Sequence, residues 1–187
     1  MATPNVRFNA LARLLHWTMA AMVLTMLCIG LCMVASLADY HVLVSIHRPL
    51  GIAIWVLVVI RFVNRLFSRL PPFPATMSRL ERLAATASEY TLYGLMFLLP
   101  LVGWGMLSAA RYPIVLFGSV DLPPILPHDA MLAAELRHLH TYLAYLLFAT
   151  FLAHLGAALL HGLIRRDGVF TSMMPWRARA GGQMTGR

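Results

Sequence analysis

The chain has no lysine, and it is short of acid: 15 basic residues, all Arg, face seven Asp and Glu over 187 residues. Charged residues make up 12% of it. A soluble globular domain carries about 25%, so an ordinary water-soluble domain is excluded. Cysteine is scarce as well. Cys28 and Cys32 both fall inside an apolar run and read as small core residues, since Cys is readily buried. There is no internal repeat and no low-complexity tract. The formal net charge of +8 would suit nucleic acid, but the Arg residues flank apolar runs rather than forming a patch. That placement is a topology signal, and no nucleic-acid partner is expected.

What the chain has in quantity is apolar length. It is 60% hydrophobic, with a mean hydropathy of +0.73. A membrane span needs about 20 apolar residues, and four stretches qualify, at about 14–38, 42–64, 90–110 and 138–164. Their sum predicts an all-α membrane protein, a four-transmembrane-helix bundle in one domain covering 1–187. Arg48 interrupts the second stretch near its start. Pro100 sits inside the third, where a kink is expected, and Gly103 and Gly105 beyond it permit close helix contact. The first stretch follows Arg7 and Arg13 and ends in Ala35-Ser36-Leu37-Ala38, which resembles a signal-peptide cleavage site. Signal h-regions run about 7–15 residues, so a stretch of this length is expected to be a retained span.

Arg also sets the orientation. Arg7 and Arg13, then Arg61, Arg65, Arg69, Arg79 and Arg82, then Arg165, Arg166, Arg177, Arg179 and Arg187 fall on one side; Arg48, Arg111 and Arg137 fall on the other. The positive-inside rule puts both termini in the cytoplasm. Pro71, Pro72 and Pro74 mark a turn on the inner side.

Against this background, His16, His47, His140 and His154 stand out. Ionisable side chains inside a membrane are costly and mark function. His16 lies toward the inner side, while His47 and His140 lie toward the outer. His154 is 14 residues beyond His140 on the same helix, about 21 Å deeper and within about 40° of the same face. The depths pair His47 with His140, and His16 with His154. Two bis-His pairs facing across a bundle suit the axial ligands of two haem irons. Both axial positions are then filled, which favours electron transfer over oxygen activation. No C-x-x-C-H occurs, so covalent c-type attachment is excluded, and the haems expected are non-covalent haem b. Spacing alone leaves His161 open as the partner of His16, being only about 20° off the face of His154. His154 is preferred, because His161 would set the haems roughly 31 Å apart and expose both at the surfaces. His138 reads as interfacial, and His41 and His128 as solvated loop residues.

Haem propionates are anions that attract Arg. Outer candidates are Arg48, beside His47, and Arg137, one turn before His140, with Arg111 a further one. Inner candidates are Arg13, one turn before His16, and Arg61, which is 14 residues after His47. Each also has a plainer reading as a topology or snorkelling residue. Trp17, Trp55 and Trp104 read more readily as core or lipid-belt residues than as haem flanks, and the methionines as gap-fillers.

Leu15-His16-Trp17, Ser45-Ile46-His47 with Gly51 and Arg61, His140, and the segment from Ala153-His154 through Asp167 to Met173-Met174-Pro175 together resemble the bacterial cytochrome b561 family over nearly the whole chain. The resemblance implies four helices, two b haems with His16, His47, His140 and His154 as axial ligands, a bacterial inner-membrane location, and electron exchange with quinone or quinol. The family's broader relatives include cytochrome b subunits of hydrogenases. The expected function is therefore a dihaem b-type cytochrome, a quinone-linked electron carrier. One alternative is the haem-bearing anchor subunit of a larger dehydrogenase or hydrogenase; another, of a different class, is a His-relay transporter or channel. Against the transporter, the spans hold no carboxylate except Glu89 at a rim. Expected partners are membrane lipid, quinone and a redox partner protein, with a homodimer open to it. Tyr112, His128 and Asp129 are candidates for proton uptake at a quinone pocket.

Overall fold

The computed structural model describes residues 7–116 and 118–175. Four long helices dominate: α1 (Ala10–Ala35), α2 (Tyr40–Phe67), α3 (Arg79–Ala109) and α4 (Ala130–Leu159). All four are long and apolar enough to cross a membrane. A π-helical turn, Leu160–Arg165, prolongs α4, and a short α5 (Val169–Met173) folds back beneath the bundle. Between α3 and α4 lies a small antiparallel hairpin that the apolar pattern gave no hint of, β1 (Ile114–Leu116) and β2 (Val120–Leu122), with Val115 opposite Asp121.

The helix starts are written in local chemistry. Asn9 caps α1 by accepting from the Ala12 N–H at 2.6 Å. Asp129 caps α4, its Oδ1 accepting from Met131 and Leu132. The start of α3 is a reciprocal capping box between Ser78 and Glu81, which satisfies two otherwise orphaned N–H groups. This box places the helix start well before the apolar run at 90–110, so Arg79 and Arg82 belong to α3 and not to a loop. Pro49 and Pro100 lie inside α2 and α3 without ending them. Each removes one backbone donor, leaving the carbonyls of Ser45 and Met96 without their helical partner.

The core is thin. On α1 the stripe Leu15, Met19 and Val23 is buried, on α2 Ile54 and Val58, and on α4 only Leu147. Met19, Val58 and Tyr93 form one cluster; Leu95, Leu99 and Leu147 form another. Most other large apolar side chains face outward, Leu31 at 70% and Phe67 at 87% exposure among them, as hydrocarbon allows and water does not. Cys28 and Cys32 are corrected here: both are exposed. They are four residues apart on a face of α1 away from its buried stripe. In lipid an apolar side chain gains nothing by turning inward, so hydropathy could not tell the two faces apart.

Packing is uneven in a way that matters. α1 lies along α2, and α3 along α4, with α2 against α3 between them, whereas neither α1 nor α2 approaches α4 over any length of backbone. The space left between α4 and the first two helices is where the histidines meet.

Candidate cofactor site

Two imidazole pairs face one another across that space. His47 of α2 and His140 of α4 have ring centroids 6.3 Å apart and planes inclined at 61°. His16 of α1 and His154 of α4 repeat the geometry at 6.3 Å and 63°. Two rings hydrogen-bonded directly to each other would bring their centroids to roughly 5 Å, given an N···N distance near 2.9 Å. A metal ion between two ring nitrogens, at about 2.0–2.1 Å from each, sets the centroids roughly 6 Å apart. Both pairs have the wider spacing. Nδ1 of His47 is buried without a hydrogen-bond partner, while the His140 imidazole lies against the Leu99 backbone. Among the described residues no cluster of three or more His, Cys, Asp or Glu is poised around a metal. A zinc site takes three or four protein ligands; two imidazoles suit an iron whose remaining ligands come from a macrocycle.

His161 takes no part in the inner pair. It is buried in the π turn, with Nδ1 2.6 Å from Asp167 Oδ2, and the two side chains are only 9% and 8% exposed. His138 and His41 are exposed. His128 and Asp129, raised as proton-uptake candidates, have structural jobs: His128 Nδ1 lies 2.8 Å from the Ala109 carbonyl, closing the end of α3, and Asp129 caps α4. Tyr112 is exposed in the same loop.

The arginines divide in the same way as the histidines. Arg61 donates from Nε to the Tyr93 hydroxyl at 2.9 Å, its guanidinium lies 5.7 Å from the Tyr93 ring, and its Nη1 is buried with no partner. It acts electrostatically on both His16 and His154. Arg13 Nε is also buried and unpartnered. At the other level Arg48 reaches the Pro113 carbonyl at 3.4 Å, acts on His47, and leaves Nε buried and unpartnered. Arg137 is exposed on α4. Arg111 adopts a left-handed conformation at φ 58°, the backbone signature of a helix end. Cationic donors buried without an acceptor are expensive unless an anion joins them, and carboxylates such as haem propionates fit Arg geometry. The residues present therefore fit haem at both levels.

The close helix contact expected at Gly103 is found, and two further contacts were not foreseen. Gly103 of α3 abuts the outer pair: a Cβ there would lie 3.3 Å from His140 Cε1 and 3.5 Å from its Nδ1. Tyr93 anchors Arg61. Glu89, noticed only as a rim carboxylate, is bonded to Arg65 at 2.6 Å. Among the tryptophans, Trp17 donates to the Met173 carbonyl and Trp104 to that of Pro123, which ties the short α5 and the outer loop to the bundle. Trp55 stands 5.7 Å from Phe97 with its Nε1 buried and unpartnered.

A four-helix membrane bundle with an imidazole pair at each of two depths, and unpaired cations beside each, has the build of a b-type membrane cytochrome. The comparisons agree. The family model for prokaryotic cytochrome b561 matches residues 7–176. Cytochrome b561 homolog 2 of Escherichia coli (strain K12) is 33% identical over 176 residues, 92% of this chain and 93% of that protein. Cytochrome b561 homolog 1 of the same organism is 27% identical over 75% of this chain and 79% of its own length. A Yersinia pestis protein named Probable superoxide oxidase CybB is 31% identical over 70% of this chain and 73% of its own. The chain belongs to the prokaryotic cytochrome b561 family. It is a multi-pass bacterial membrane protein of electron transfer, and its family implies b-type haem.

Proposed function

We propose that this chain is a dihaem cytochrome, with one haem b held between His47 and His140 and a second between His16 and His154, passing electrons to or from quinone. The observation that carries the reading is the repetition of one ring geometry, centroids 6.3 Å apart, at two levels of the same helix. When bound, the haems supply reversible one-electron storage. The protein's own residues do the rest. With one imidazole from each helix holding each haem, substrates would exchange electrons without binding iron. Arg48 on one level, and Arg61 and Arg13 on the other, would hold the propionates and neutralise their charge. The apolar helices exclude water and so tune the potentials. α4 presents both histidines from one rigid rod, which fixes the separation of the two centres at about 21 Å along its axis.

The Arg-rich end, where α1 begins and α4 ends, faces the cytoplasm in this reading. Of the arginines behind that assignment, Arg177, Arg179 and Arg187 lie outside the described residues. The Yersinia relative's name adds superoxide as a one-electron donor: each anion oxidised to O₂ delivers one electron, and two electrons with two protons turn a quinone into a quinol. The test is a reduced-minus-oxidised visible spectrum of the purified protein with haem counted per chain. Two low-spin b haems are expected, one in His154→Leu and two in His161→Leu. Two haems retained in His154→Leu would overturn the ligand assignment, and a haem-free protein would promote the His-relay transporter. A peripheral subunit that co-purifies would favour the anchor-subunit reading.

A further inference from the structure

The Arg-rich mouth of the bundle contains a small cleft in which charged side chains stand among apolar ones such as Phe8 and Leu70. Its polar lining residues are Arg61, Asn64, Arg65 and Ser68 from the α2 side and Glu89 and Tyr93 of α3. Glu89 is ten residues past the start of α3, about 15 Å along its axis. No other carboxylate among the described residues lies so far along a span: Asp39 and Asp129 are caps, Glu81 is in a first turn, Glu135 is in the second turn of α4, and Asp121 and Asp167 lie outside the long helices. Glu89 Oε1 meets Arg65 Nη1 at 2.6 Å, and the carboxylate side chain is 29% exposed where it lines the cleft. Arg61 stands between this pair and the inner histidines, acting electrostatically on Glu89 on one side and on His16 and His154 on the other.

An electron reaching the inner centre adds a negative charge to a poorly screened interior. At an effective dielectric of about 20 and a distance on the order of 10 Å, a unit charge changes a neighbour's proton affinity by about tenfold. The groups facing Glu89 are Arg65 and Arg61 of α2 and Tyr90 and Tyr93 of α3. Among the described side chains that line the cleft, Glu89 is the one carboxylate. Its protonation does not strand Arg65, whose guanidinium also lies 5.5 Å from the Tyr90 ring.

Resting on the dihaem reading, we propose that Glu89 is the proton acceptor coupled to the His16–His154 centre. When the electron donor reduces that centre, the Glu89 carboxylate takes one proton from water on the Arg-rich side. When the electron leaves, the proton leaves with it, available to an acceptor such as a quinone whose reduction consumes both. One electron and one proton enter, and one of each departs.

The test is a spectroelectrochemical titration of the haem-loaded protein at a series of pH values. The inner centre's midpoint potential is expected to fall with rising pH by about 59 mV in all, the tenfold change in proton affinity converted for a one-electron couple. In Glu89→Gln that slope disappears while the outer centre is unchanged. A pH-independent potential in the native protein, or a slope that survives in Glu89→Gln, overturns the proposal. Should that variant not assemble, the native protein labelled with ¹³C-Glu gives a second reading. Its only other glutamates, Glu81 and Glu135, lie toward helix starts. A labelled carboxylic-acid band that grows in the infrared on reduction supports the proposal, and its absence overturns it. Failure of the dihaem reading shows separately, as missing haem before any titration begins.

Discussion

Gly103 gives α3 a gap one methyl group deep, and the His140 imidazole fills it. A Cβ at 3.3 Å from the ring forces it aside by a few tenths of an ångström; a branched side chain forces it further. Gly103→Ala is expected to keep both haems and to change only the outer low-spin signal in electron paramagnetic resonance. Gly103→Val should drop the haem content toward one per chain. An unchanged outer signal in both variants would remove Gly103 from the site. The second residue-scale prediction concerns His161. Its bond to Asp167 is buried on both sides, so His161→Leu leaves a carboxylate without its partner, at a cost on the order of 3 kcal/mol. The expected result is a lower thermal midpoint with two haems retained, read by following unfolding and the visible spectrum of the same sample. The four histidines stood out in the sequence because polar residues are rare in these spans. The particular partners of Gly103 and Glu89 did not, because each is a neighbour far along the chain, His140 at 37 residues in the one case and Arg65 at 24 in the other.

At the scale of elements, the spans were legible because a membrane imposes a length, and each long apolar run became a helix. The ends were less so, because apolar runs report the lipid and not the helix. α3 begins where Ser78 and Glu81 cap it, and the Ser-x-x-Glu pattern that announces this was present in the chain. Two further contacts bind this first turn to the rest: Glu81 also pairs with Arg165 of the π turn at 2.5 Å, and Arg82 donates to the carbonyls of Met77 and Pro74. Ser78→Ala removes one side of the box, which is worth about 1 kcal/mol. For a chain of this size that is roughly 2–4 °C in the thermal midpoint, with haem content and spectrum unchanged. A larger loss would mean that the first turn of α3 supports the haem site directly. The hairpin was not legible at all: three-residue strands lie below any periodicity, and its pairing follows from the turn at Gly118, whose φ of 76° suits glycine.

For the whole molecule, charge distribution carries the orientation. Arg7, Arg13, Arg61, Arg65, Arg69, Arg79, Arg82, Arg165 and Arg166 lie at or near one end of the bundle; Arg48, Arg111 and Arg137 lie near the other. In the proposed orientation the Arg-rich end resists translocation and the hairpin end crosses. The outward faces of Cys28 and Cys32 make this straightforward to test. Lipid-facing positions have no packing partner to lose, so Cys28→Ala with Cys32→Ala is expected to leave haem content and stability unchanged, giving a cysteine-free background. In it, Ser119→Cys places a thiol on the exposed hairpin, and Thr76→Cys places one on the exposed loop between α2 and α3. A membrane-impermeant maleimide added to intact spheroplasts should label Ser119→Cys at once and Thr76→Cys only after the membrane is opened. The reverse pattern would invert the bundle, exchanging which of the two histidine pairs meets the cytoplasm and placing Glu89 on the opposite side. Proton uptake by Glu89 would then draw from the periplasm, so the labelling result decides whether each electron that reaches the inner centre removes a proton from the cytoplasm or from outside it.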